Sequence, residues 1–362
     1  MNRFKTFSIP SGAKKLILLL LIANCSLLID GCSRRFEPEP LQLSVKQNLA
    51  LLQTDPQFVM YFNFKKMRET GFWQKFISDS LFSAERNFGN FLNTLKNATG
   101  ASISNGIDEL YFSNSWIGDN AMVVKGTFDR SRIDSYVSED SNYAKITYPD
   151  NIVVYNRKPE HFYFYFKDDF TVCASNYLNQ IESTFKVKDT TQAGLLTNAD
   201  AMRIIEHIEY KDNLWMMSGQ KMFIRGIFEN FSQLGKSGKN KIPESSGEDS
   251  LAVQDSTGEK KFDLLGLYDK IDAVSFCLKM TDALELVMQN ECSDNNSAVE
   301  LKNKVDAVIA LSKLSAQLSK KKNQAILNLL DRIKLSVYDK TLLIEAKLED
   351  EQITEIRKQK LF

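Results

Sequence analysis

An α+β fold is predicted, with antiparallel sheets, helices packed on one sheet face, and two tandem copies of a helix-strand-helix-hairpin-helix-hairpin-helix unit. Three observations predict it. Helical stripes alternate with short runs of period-two apolar residues. The strand-like runs come as hairpins about polar turns, which favours antiparallel pairing with helices segregated to one side. The same order of elements then occurs twice. Seven prolines against 24 Phe, 12 Tyr and 3 Trp fit a packed globule and not a disordered stalk.

The first copy spans 41–190 and the second 191–362. Val45, Leu49 and Leu52 make a helical face at i, i+4, i+7, and Ala201, Ile205 and Ile208 repeat it. Phe58, Met60 and Lys65 match Leu214, Met216 and Lys221, a strand running into a helix. Phe72, Trp73 and Phe76 match Ile227, Phe228 and Phe231 after a one-residue shift. The stretch 106–128 parallels 270–292, and both read as hairpins. A helix follows each, 130–137 in the first copy and a much longer one in the second. Last, "FYFYFKDDFTVCAS" (162–175) parallels "KLSVYDKTLLIEAK" (334–347), with helices expected at 177–185 and 351–358.

Two insertions break the pattern. Residues 235–261 are rich in Gly, Ser and charge, and read as a mobile loop. Residues 295–333 read as a helical insertion, with a stripe of Leu301, Val305, Val308, Leu311, Leu314 and Leu318 and a bend at Lys320-Lys321-Lys322.

The N-terminus carries a different signal. Arg3, Lys5, Lys14 and Lys15 precede an apolar run from Leu16 to Leu28, too short to span a bilayer and of secretory-signal length. Ile29-Asp30-Gly31-Cys32 resembles the lipobox of bacterial lipoproteins, with Asp30 an unusual middle residue. Cys25 is a rival, with the poorer Asn24 before it. The resemblance implies cleavage of the signal peptide 1–31 and acylation of Cys32, so that the membrane is a partner through the lipidated N-terminus. Ser33 after the cysteine resembles lipoproteins sent to the outer membrane, facing the periplasm. Residues 32–40, with Pro38 and Pro40, then read as a stiff tether. Each buried CH2 contributes about 0.8 kcal/mol, so several acyl chains would hold the body on a bilayer.

Removing residues 1–31 from 362 leaves 331, with 42 basic against 45 acidic residues. That balance gives no electrostatic reason to expect nucleic acid as a partner. Cys173, Cys277 and Cys292 remain beside Cys32, widely spaced and without a CxxC, which argues against a disulfide framework and a zinc site. No metal or other cofactor is expected.

No catalytic residues are expected either. Gly235-Lys236-Ser237 lacks the earlier glycine of a phosphate loop, which is Asn230 here. Glu206-His207-Ile208-Glu209 lacks the second histidine of a zincin helix, and a solvated His207 explains it more simply. His161 could meet His207 only through the tertiary fold. Ser319 and Lys322 have SxxK spacing within a lysine-rich bend. The acid pairs Asp168-Asp169 and Glu248-Asp249 fit solvated turns better than a general acid/base pair, which needs one desolvated carboxyl.

Phe162 to Phe166 alternates Phe and Tyr, which sends Phe162, Phe164 and Phe166 to one face and Tyr163 and Tyr165 to the other. Packing of Phe under helices with Tyr facing water is the simpler account. As a function, Tyr163 and Tyr165 make the candidate binding surface, since aromatic residues are enriched at interfaces. The expected function is a lipid-anchored cell-envelope protein of non-enzymatic binding or scaffold type. An envelope protein or a lipid is its expected ligand. The alternatives are a lipid or lipoprotein carrier with an apolar cavity, by fold analogy with outer-membrane lipoprotein chaperones, and an envelope hydrolase.

Overall fold

Strand β1 (Phe58–Asn63) shows how the chain makes a two-sided sheet. Its alternation sends Phe58, Met60 and Phe62 to one face and Val59, Tyr61 and Asn63 to the other. Both faces bury large groups, as Phe62 joins one apolar cluster while Val59 and Tyr61 join a second. The computed structural model of the chain describes residues 37–77, 88–188, 191–234, 265–318 and 324–358. Cys32, the 235–261 loop, Ser319 with Lys322, and the Lys320–Lys322 bend lie outside the described residues.

β1 pairs on one side with β2 (Ile107–Asn114), which turns back into β3 (Asn120–Gly126). Two short strands, β4 (Tyr143–Thr147) and β5 (Val153–Arg157), precede the hairpin of β6 (Phe162–Asp168) and β7 (Thr171–Ser175). On the other side β1 pairs with β8 (Leu214–Ser218), followed by the hairpins β9 (Ile271–Met280)/β10 (Leu284–Cys292) and β11 (Ile333–Tyr338)/β12 (Thr341–Leu348). All twelve strands form one antiparallel sheet in the order β11-β12-β10-β9-β8-β1-β2-β3-β7-β6-β5-β4. Residues from Pro38 onward are one compact unit, so the two halves of the sequence share a single sheet.

Outward from the β1/β8 seam the order is β1-β2-β3-β7-β6 on one side and β8-β9-β10-β12-β11 on the other. Registers agree near the seam. Phe58 faces Asn114 in one half, and Leu214 faces Leu278 in the other. The sequence match sets Phe58 against Leu214 and Asn114 against Leu278, so the two pairs correspond. Strands β5 and β4 extend the first side alone.

Helices cover both faces of the sheet, which corrects the expectation of helices on one face. One face, with Phe62, Leu110, Met122 and Phe164, packs under α2 (Phe64–Arg68), α3 (Gly71–Phe76), α4 (Phe88–Thr99) and α5 (Ile133–Glu139). Farther along it, α8 (Lys221–Leu234) and α9 (Asn295–Leu318) cover Val274 and Leu342. The opposite face, with Tyr61, Tyr111, Cys173 and Trp215, packs under α1 (Leu43–Leu49), α6 (Leu178–Thr184) and α7 (Ala199–Glu206). The physical reason lies in the strands: β1, β2, β3 and β7 are apolar on both sides, so each face must be covered. Two C-terminal helices, α10 (Gln324–Asp331) and α11 (Asp350–Lys358), add Leu329 and Ile353 to the first face.

Local signals fix the helix starts. Asn63 accepts from the Lys66 amide ahead of α2, Thr70 from the Trp73 amide ahead of α3, and Asn198 from the Ala201 amide ahead of α7. Each is an N-cap that satisfies an otherwise orphaned donor. Of the segment read as a tether, residues 38–40 are fastened to the body. The Glu39 amide donates to the Glu209 carbonyl at 3.1 Å, and the Lys211 amide donates to Glu39 Oε2 at 2.7 Å.

Candidate functional site

A large concavity lies on the α1 side of the sheet, at the end where β1 leaves and β8 enters. A row of polar residues crosses four strands there. Asn63 faces Glu109, Glu109 faces Lys125, and Lys125 faces Thr171. Next to Thr171 a register shift in β6, between Phe166 and Asp168, adds Lys167 to the same end. The cleft holds about 540 Å³, bounded by α1 at Ser44, Gln47 and Asn48 and by the chain at Val187 and Lys188.

Its carboxylates are occupied from within. Tyr111 donates its hydroxyl to Glu109 Oε2 at 2.6 Å, and Tyr61 donates to Glu109 Oε1 at 3.3 Å. Burial, reinforced by the Glu109 charge, pushes the Tyr61 hydroxyl far above its ordinary pKa. Burial raises Tyr111 well above its ordinary value too, with the neighbouring Tyr61 and Glu109 adding to the effect. Both phenols therefore stay protonated donors. Asp168 accepts from the Phe170 amide at 2.8 Å and from the Thr171 hydroxyl at 2.8 Å, the work of a hairpin-turn residue. Asp108 pairs with Arg68 at 2.7 Å.

The ammonium groups are placed differently. Lys125 donates to the Thr171 hydroxyl at 2.6 Å, and Lys167 donates to the Thr184 and Val187 carbonyls at 3.2 and 2.7 Å. Lys65 and Lys188 complete the rim, both exposed. Among the described residues none of these four lysines is in an ion pair, whereas Lys66, one residue from Lys65, is paired with Asp212 at 2.6 Å. The cleft therefore presents cationic donors, while each of its acids is engaged by a donor of the protein itself.

The residues singled out from the sequence fall elsewhere. Tyr165 is 2% exposed, its hydroxyl bonded to Thr184 Oγ1 at 2.7 Å and its ring edge-on to Phe185. Tyr163 is half-buried against the same cluster. Helix α6 folds back over β6 and covers the tyrosine face, so Tyr165 is not the exposed surface expected of it. The phenylalanine face lies under α4, where Phe91 meets Phe162 and Phe164 at 5.1 and 5.8 Å. A recess of about 60 Å³ remains there, room for a water or two and not for an acyl chain.

His207 is exposed, and its Nδ1 lies 2.7 Å from the Arg203 carbonyl. His161 closes the β5–β6 turn in a left-handed conformation, with β7, β3, β2 and β1 between β6 and β8. Asp169 pairs with Arg130 at 2.8 Å at the surface. Burial pushes the Cys173 and Cys277 thiols up to about 12 and Cys292 up to about 11, as expected of packing groups. Among the described residues no group of three or more His, Cys, Asp or Glu could hold a metal ion, and no helix is long and apolar enough to cross a membrane.

No family model matches the chain, and no curated protein matches it. Solved structures of TP0453 are similar to it. Crystal form III gives a TM-score of 0.46 at 9% identity, covering 86% of this chain and 97% of that one. Form IV gives 0.43 at 9% identity, covering 85% and 95%, and form I gives 0.44 at 10%, covering 86% and 96%.

Proposed function

We propose that this is a lipid-anchored cell-envelope protein of binding type, without catalytic activity, held at the periplasmic face of the outer membrane through Cys32. One observation carries the reading: the root of the N-terminal tether and the lysine-rimmed cleft lie at the same end of the sheet. Glu39 is fastened to Glu209 and Lys211 just before β8 begins, and the Asn63 amide at the end of β1 donates to the Asn213 carbonyl at 2.7 Å. Chain that enters there passes directly into α1, which walls the cleft. An anchor at Cys32 would therefore tie the body to the bilayer through a segment that joins it at the cleft end of the sheet.

Fractionation tests the anchor. Cys32→Ser is expected to abolish lipid labelling and to move the chain out of the membrane fraction, or to leave uncleaved precursor. Unchanged labelling and fractionation would overturn the anchoring.

We also infer that the sheet arose by duplication of a unit of about half the chain. Equal strand order on the two sides of the seam supports this, as do the matching registers of β1/β2 and β8/β9. The copies have diverged at their ends. Helix α6 lies on the tyrosine face and α11 on the opposite one, and among the described residues β4–β5 have no counterpart in the second half.

A further inference from the structure

We propose that the cleft beside α1 binds a phosphate-type anionic group borne on a small organic molecule or a lipid, held by Lys65, Lys125, Lys167 and Lys188. This deepens the reading of an anchored binding protein and rests on it for the attachment to a bilayer.

The charge count favours an anion. Four ammonium groups line the cleft with three carboxylates, and every carboxylate already accepts a hydrogen bond or ion pair from the protein. The ammoniums have donors to spare, since each carries three and Lys125 is given only one acceptor. Two of the four are set in place. Lys125 is tied to Thr171, and Lys167 to two carbonyls, on strands β3 and β6 that flank β7. Their backbones are about 10 Å apart at two strand spacings, a gap that lysine stems can close around one tetrahedral anion. Lys65 and Lys188 line the same cleft and are exposed, with side chains free to rotate toward it.

Charge narrows the chemistry. Lysine acts as a point charge that binds phosphate, and a phosphate monoester, at about −1.5 to −2, gains more from several ammoniums than a single carboxylate does. Arg68, the arginine beside the cleft, is already committed to Asp108. Size narrows it further. About 540 Å³ lies within the range of roughly 300–1,000 Å³ typical of small-molecule sites, far more than a bare ion fills. Leu51, Val187 and the exposed ring of Phe170 supply apolar wall for the remainder of the ligand.

The test uses the full chain, with pyrophosphate and glycerol 1-phosphate as soluble probes and vesicles of phosphatidylglycerol or phosphatidylcholine as surfaces. Saturable binding of pyrophosphate is expected by NMR titration, and Lys65→Gln with Lys188→Gln should weaken it about tenfold, some 1.4 kcal/mol. Both side chains are exposed, so this double variant should fold normally. Lys302→Gln, whose side chain is paired with Asp306 on α9, should leave binding unchanged. Preference for phosphatidylglycerol that the double variant loses assigns the phosphate to a lipid headgroup. Saturable glycerol 1-phosphate binding without vesicle preference assigns it to a soluble ester. Absence of saturable pyrophosphate binding at millimolar concentration, or binding that the double variant leaves intact, overturns the proposal. Pyrophosphate binding that persists while Cys32→Ser leaves fractionation unchanged would overturn the anchoring alone.

Discussion

Met60 of β1 stands directly opposite Met216 of β8. Under the proposed duplication the two occupy the same place in their respective halves, with Phe58 and Leu214 each beginning its strand. Their pairing puts an approximate two-fold axis between them: Val59 faces Met217, and Tyr61 faces Trp215, the same relation read from either side.

That register can be locked chemically. Directly opposed residues on antiparallel strands have Cβ atoms about 4.5–5.5 Å apart, close enough for a bridge with slight adjustment. Met60→Cys with Met216→Cys is expected to cross-link under mild oxidation. Met60→Cys with Ser218→Cys, a diagonal pair, is not. Cross-linking of the diagonal pair in preference, read by mass spectrometry, would show a slipped seam.

The Tyr111 hydroxyl is a buried donor on a carboxylate at 2.6 Å. Tyr111→Phe should cost about 1.5–3 kcal/mol in denaturant unfolding, the range for a hydrogen bond to a charged group. Tyr61→Phe should cost less, since its bond to Glu109 is 3.3 Å long. Equal losses would mean that the two phenols share the carboxylate evenly.

Asn290 of β10 is fully buried, between Val274 and Leu342, and among the described residues neither its Nδ2 nor its Oδ1 has a partner. A buried amide without partners costs about 1–3 kcal/mol. Asn290→Leu, close in volume, should therefore raise stability by about 1–2 kcal/mol. A fall in stability would reveal that the amide serves a polar group in the folded protein.

Lys211 carries the pH dependence with the clearest sign. Burial lowers its pKa from the ordinary 10.5 to about 8, against the opposing pull of Glu39. Between those values the unfolded chain binds more protons than the fold, so stability contributed at this position rises with pH. Below about pH 8 the cost of burying the ammonium is present in full. Its Nζ donates to the Glu39, Glu206 and Ile208 carbonyls at 2.5, 3.1 and 2.5 Å, so Lys211→Met should destabilise overall. The wild-type advantage over Lys211→Met should widen from pH 8 to pH 10.5 in unfolding titrations. A constant difference across that window would show that Lys211 keeps its ordinary titration.

Period and spacing made most of the elements legible. The i, i+4, i+7 face of Val45, Leu49 and Leu52 is α1 with its following turn, and the four expected hairpins all form. Strands β4 and β5 are not legible because Lys145 and Asn156 interrupt their short apolar runs, whereas β7 and β8, of the same length, carry denser apolar runs. Helix α4 was missed although Phe91, Leu92, Leu95 and Ala98 carry a helical stripe. Alternation correctly divided Phe164 from Tyr165, but a strand cannot announce which face a later helix will cover. Covering of Tyr165 by α6 is decided by chain after β7. Lysines of the cleft were invisible for a related reason. Lys125 and Lys167 line one cleft only because β7 inserts between β3 and β6, a pairing that no local pattern encodes.

The axis between Met60 and Met216 also bears on what a fragment would do. Cut away from β8, the first half would expose β1 as a row of unpaired amides, and the nearest cover of matching register is β1 of another copy. Such a fragment would assemble in pairs and come apart on dilution. In the intact chain the partner strand travels on the same polypeptide at an effective concentration that dilution cannot lower. What would be a dimerisation constant for the half is, for the whole, a fixed part of its folding equilibrium.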